Sequence, residues 1–76
     1  MEKAYILLSC EIGTENDLAK QLREIPEIKV VTITYGEYDI VFEAETRNTE
    51  EMDKLITSKI RKLAKIRTTI TLRVTI

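Results

Sequence analysis

Tyr35-Gly36-Glu37-Tyr38-Asp39 sets a carboxylate just behind a glycine-bearing turn, and Thr69-x-Thr71 sets two hydroxyls near the chain's last apolar stretch. A carboxylate receives an ammonium group. Hydroxyls and the backbone N–H groups exposed around a glycine receive a carboxylate, and apolar neighbours select a side chain, so the set suits a small zwitterion such as an amino acid. This is binding chemistry with no covalent step. Each part also has a plainer reading. Gly36 can simply be a turn residue needing positive φ, and Asp39 a carboxylate accepting from turn amides. Thr68, Thr69 and Thr71 can be β-formers on a solvated face.

Other chemistries lack their parts. There is no histidine, so general acid–base work would fall to a carboxylate, lysine or tyrosine, and the commonest metal ligand is missing. Cys10, the single cysteine, has no imidazole partner and reads as a small buried hydrophobe in a strand. No catalytic residue, metal ligand or cofactor is therefore expected. The single cysteine also excludes an internal disulfide and, with no targeting segment at Met1-Glu2-Lys3, points to the cytoplasm. Twelve basic against thirteen acidic residues leave a net charge of −1, so no overall field draws the chain to nucleic acid or anionic lipid. Its apolar runs are far below the roughly 20 residues that span a bilayer.

The elements that must position these residues are legible in the pattern. Lys3 to Glu11 reads as a first strand, ending before Gly13. Thr14 is placed to cap a helix from Glu15 to about Glu24, with Asp17 as the capping-box carboxylate and Pro26 as the stop. Ile28 to Thr34 and Tyr38 to Glu45 read as two strands of a hairpin. Asn48 opens a second helix whose apolar stripe is Met52, Leu55, Ile56, Ile60, Leu63 and Ala64. Thr68 to Ile76 alternates as a last strand.

Strand, helix, strand, strand, helix, strand is the α+β, ferredoxin-like βαββαβ arrangement. Right-handed crossovers give an antiparallel sheet ordered 4-1-3-2, with both helices on one face. The loop at Gly36, the start of the third strand and the start of the fourth then share one end of the sheet. If Ile40, Phe42 and Ala44 face the helices on the third strand and Ile70 and Leu72 do so on the fourth, Asp39, Thr69 and Thr71 point away from them, with strands three and four on the order of 10 Å apart. A ligand fits between such groups, whether one subunit or two supply them.

Seventy-six residues make a single domain that buries only about 60 to 65% of the surface its unfolded chain exposes. The first two strands carry apolar residues of both parities, which leaves an open sheet face in want of a second subunit. Pairing through that face or along a strand edge would both answer the need.

The whole chain resembles the effector-binding (RAM) domain of the Lrp/AsnC family in a stand-alone form without the DNA-binding helix-turn-helix. The resemblance is carried by Ile25-Pro26-Glu27-Ile28, by Tyr35-Gly36-Glu37-Tyr38-Asp39 and by Thr69-x-Thr71. It implies a homodimer formed through the sheets, further assembly into rings, and an amino-acid effector bound between dimers. Gly36 and Asp39 would hold the ligand backbone, Tyr35, Glu37 and Tyr38 would shape the loop, and Thr68, Thr69 and Thr71 would supply hydroxyls. It also implies a regulatory role, through co-assembly with a full-length regulator rather than direct contact with nucleic acid or membrane. An ACT-like regulatory module and a small ferredoxin-like enzyme share the topology. The former keeps its ligand loop after strand one, where this chain offers only Gly13. An RNA-binding sheet would need exposed aromatics and basic residues where the third strand carries Glu43 and Glu45.

Overall fold

Alternation in the first strand decides the architecture. In a computed structural model, which describes residues 1–75, β1 (Glu2–Cys10) buries Ala4, Ile6, Leu8 and Cys10 on one side and turns Tyr5, Leu7 and Ser9 to the other. After it come α1 (Glu15–Arg23), β2 (Ile28–Ile33), β3 (Ile40–Thr46), α2 (Thr49–Lys54) running into a π-helical turn at Leu55–Ile60, and β4 (Ile66–Arg73). The strands form one antiparallel sheet ordered β2-β3-β1-β4, which is the expected 4-1-3-2 order read from the opposite edge.

The helices cover a single face. Ile6 lies opposite Phe42 and Leu8 opposite Ile40, and all four are buried with Leu18, Ala19 and Leu22 of α1 and Met52, Leu55, Ile56 and Ile60 of the second helical segment. The other face is bare. Tyr5, Ile70 and Leu72 on it remain 39, 40 and 53% exposed.

Three local expectations are corrected. Thr14 does not cap α1 with its side chain: its hydroxyl donates to the Glu11 carbonyl at 2.6 Å, and Glu15, not Asp17, reaches back to accept from the Gly13 N–H at 3.0 Å. The chain enters the helix from Gly13 at φ +90, which aims the threonine backwards. The second helix stops early. Beyond Lys54 it widens into a π turn, closed by the Arg61 N–H donating to the Ile56 carbonyl at 3.0 Å, and this packs Leu55, Ile56 and Ile60 onto the sheet. Ala64 therefore lies exposed beyond the helix, and Lys65, at φ +70, turns the chain so that β4 begins at Ile66.

The third correction concerns β4. Cys10 pairs with Ile66 but Ser9 pairs with Thr68, so Arg67 is an extra residue, a bulge. Every later residue is consequently out of step with Ile66. Thr69 and Thr71 lie opposite Leu8 and Ile6 on the helix-bearing side, and Ile70 and Leu72 lie opposite Leu7 and Tyr5 on the bare side. The expected facing of this strand is reversed. Ile76, which was counted with it, lies outside the described residues.

Candidate functional site

β3 starts at Ile40 rather than Tyr38, so the connection from β2 runs from Thr34 to Asp39 and projects from the sheet end. Asp39 fastens its base. The Asp39 N–H donates to the Leu8 carbonyl at 2.9 Å, and the Cys10 N–H donates to the Asp39 Oδ2 atom at 2.9 Å. Thr34 closes the loop by donating its N–H to the Asp39 carbonyl and its hydroxyl to the Tyr38 carbonyl, each at 2.8 Å. The plainer reading of Asp39 gave it turn amides as partners; its carboxylate instead accepts from a strand amide of β1 and ties the loop to that strand.

Beyond that clamp the loop is free. Tyr35, Gly36 and Glu37 are exposed and Tyr38 is half-buried. Gly36 sits at φ +147, a conformation side chains rarely adopt, and nothing lies within 4 Å of where a Cβ would stand. Among the described residues, the N–H groups of Tyr35, Gly36, Glu37 and Tyr38 make no hydrogen bond. Four donors without partners around a glycine are what an anionic group would find there.

The threonines divide between the two faces. Thr68 is on the bare side, its Oγ1 atom 2.7 Å from the Ser9 hydroxyl, at the same sheet end as the Asp39 clamp. Thr69 is half-buried on the helix side. Thr71, also on the helix side, lines a concavity of about 390 Å³ with Asp53, Thr57, Arg61 and Arg73. Asp39, Thr69 and Thr71 are therefore not brought together on one open face, because the Arg67 bulge inverts the phase of β4. Ser9 and the Cys10 amide complete the clamp region and were not singled out in the sequence; only their pairing with β4 and Asp39 reveals them.

Burial pushes the Cys10 thiol up, and the charges of Asp39 and Glu15 add to the rise. Among the described residues, no cluster of three or more His, Cys, Asp or Glu is placed to hold a metal ion, and no helix is long and apolar enough to cross a membrane.

This sheet order with both helices on one face is the ferredoxin-like arrangement, and among chains that share it this one matches the Lrp/AsnC ligand binding domain. The family model matches residues 3–75, and the chain belongs to that family. The crystal structure of PHS023 from Pyrococcus horikoshii superimposes with a TM-score of 0.95 at 36% identity, covering 100% of this chain and 92% of that one. HTH-type transcriptional regulator FL11 of Pyrococcus furiosus is 36% identical over 53 residues, which are 70% of this chain and 35% of the regulator. The matched segment thus spans only 35% of that regulator's own length. A transcriptional regulator of Neisseria meningitidis, NMB0573, solved as its complex with L-Met, shares the fold with a TM-score of 0.85 over 96% of this chain and 49% of its own, at 17% identity.

Proposed function

We propose that this chain is a regulatory domain that binds a small zwitterionic effector, an amino acid, at the Tyr35–Asp39 loop, and that it acts by assembly rather than catalysis. The observation that carries the reading is the loop itself: a clamped base, a glycine at φ +147 and four N–H groups without partners. The effector's carboxylate takes those donors. Its ammonium group meets carboxylate oxygen from Asp39 or Glu37, and Tyr35 and Tyr38 flank its side chain. Thr68 belongs to this end of the sheet. Thr69 and Thr71, on the far side of β4, serve the site of a neighbouring subunit.

Support comes from three directions. The family is defined by ligand binding, relatives such as FL11 are transcriptional regulators, and NMB0573, a regulator solved as its complex with L-Met, shares the fold. The bare sheet face supplies the assembly half of the reading: two copies pair through it, forming the homodimer from which larger rings or mixed assemblies with a longer regulator grow. Effector binding shifts the balance between such arrangements by its unequal affinity for them. The setting is the cytoplasm, where transcriptional regulators work.

Thermal denaturation with each of the twenty amino acids tests the ligand class. An effector at 100 times its dissociation constant adds about 2.7 kcal/mol of stability; silence from all twenty would overturn the class. With a responding amino acid in hand, Asp39→Ala abolishes the response while the chain still folds, and undiminished affinity would remove Asp39 from the site.

A further inference from the structure

At the end of the sheet away from the Tyr35–Asp39 loop, the turn into β2, the end of β3 and the α2–π segment enclose a cleft of about 650 Å³. That volume is within the ordinary range of small-molecule sites. Its walls carry opposite charge. Glu27 and Glu45 line the strand side and Lys54 and Lys59 the helix side, with the Ser58 hydroxyl beside them and Leu55 as an apolar floor. The strand wall is fixed in place, because the Glu45 N–H donates to the Glu27 carbonyl at 2.9 Å. At the rim, Arg47 and Glu51 already satisfy each other at 2.8 Å and leave the inner groups to themselves.

Glu27 holds the decisive atom. Its Oε1 is shut off from solvent yet accepts no hydrogen bond, and its ion-pair partner, the Lys59 ammonium, stands 3.6 Å away. That distance gives Coulomb attraction without a hydrogen bond. The pair is loose and its side chains are 51 and 39% exposed, so a dipolar molecule can displace it and offer each partner an opposite charge.

We propose that this cleft is a second small-ligand site, which takes a zwitterion bearing an apolar side chain. The ligand's ammonium displaces Lys59 and takes its place beside the Glu27 carboxylate, its own carboxylate pairs with the released Lys59 and with Lys54, and its side chain rests on Leu55. One stretched ion pair is thereby replaced by two charge-assisted hydrogen bonds. The site lies within one subunit and shares no residue with the loop site, so the two stand or fall separately.

Amide proton–nitrogen correlation spectra of the labelled full chain test this directly, with three probes of one shape: L-leucine, L-leucinamide without the carboxylate, and isocaproate without the ammonium. L-leucine should move the Glu27, Glu45, Ser58 and Lys59 signals saturably, and each of the other two should bind there about tenfold more weakly, having lost one wall. Glu27→Gln should weaken L-leucine at those signals by about tenfold while any response of Tyr35 to Asp39 is unchanged. Lys54→Met repeats the test on the basic wall should the first variant fail to fold. No saturable shift at the four signals, equal binding of all three probes, or unchanged affinity in the folded variants would overturn the cleft. Shifts confined to Tyr35–Asp39 would do so while supporting the loop, and shifts confined to the cleft would support it and count against the loop.

Discussion

Val30 and Gly36 both take positive φ, at +52 and +147, near the two ends of the chain's second crossing of the sheet. Glycine bears this without steric cost, and open space around Gly36 shows that the constraint there is conformational. Valine does not bear it. A β-branched side chain in the left-handed region is strained, and Val30 occupies it because a bulge falls between Lys29, opposite Glu43, and Thr32, opposite Val41. The bulge lets Val31 reach the core while Val30 stands 65% exposed. Asparagine tolerates this conformation, so Val30→Asn is expected to raise stability by about 1 kcal/mol. Urea denaturation checks it, and a lowered midpoint would mean that the valine side chain has a use in the isolated protein. The same residue scale shows why the loop was partly legible. A glycine followed by an aspartate announces a turn and a carboxylate, but nothing in the residues nearby says that the carboxylate's partner is the Cys10 amide, 29 positions away.

At the scale of elements, the order of strands and helices was readable, because β-branched runs, a proline stop and the Asn48 cap each act locally. The Asn48 side chain does accept from the Glu51 N–H, at 2.9 Å. What escaped is relative phase. Alternation in β4 sorts its residues into two sets without saying which set is inside, and a single extra residue at Arg67 decides it. The π turn is a similar case: the spacing of Leu55, Ile56 and Ile60 suits an ordinary helix and does not announce the widening. Two deletions separate these effects. Removing Arg67 leaves Ile66 opposite Cys10 and Thr68 opposite Ser9, so the ladder becomes regular and the fold should lose no more than about 1 kcal/mol. Removing Thr69 instead turns Ile70 and Leu72 inward and Thr71 outward, and should cost several times as much, on the order of 3 kcal/mol or more. Denaturant midpoints of the pair provide the check; equal losses would mean that the bulge is not what sets the phase.

At the scale of the whole molecule, two properties could drive copies together. The first is charge: all thirteen acidic residues precede Lys54, while seven of the twelve basic residues stand from Lys54 onward. Residues 1–53, with thirteen acidic and five basic groups, carry a net −8, and residues 54–76 carry +7. The second is the bare sheet face, where Tyr5, Leu7, Ile70 and Leu72 form an apolar patch across β1 and β4. Its margin is polar, with Lys3 bridging to Glu43 at 3.0 Å and lying 5.5 Å over the Tyr5 ring. These alternatives respond oppositely to salt. Contacts between exposed charges fade when the Debye length falls to about 3 Å at 1 M ionic strength, whereas apolar burial does not. The proposed pairing through the face therefore predicts a dimer by sedimentation in both dilute buffer and 1 M salt, with a melting temperature that rises with protein concentration. Leu72→Lys places a charge at the centre of the patch, on a side chain already 53% exposed in the single chain, so the fold should survive while the dimer is lost. In that variant the melting temperature should stop depending on concentration. A wild-type dimer that dissolves in salt, or a Leu72→Lys protein that stays dimeric, would assign assembly to the charged surfaces or to a strand edge instead of the face.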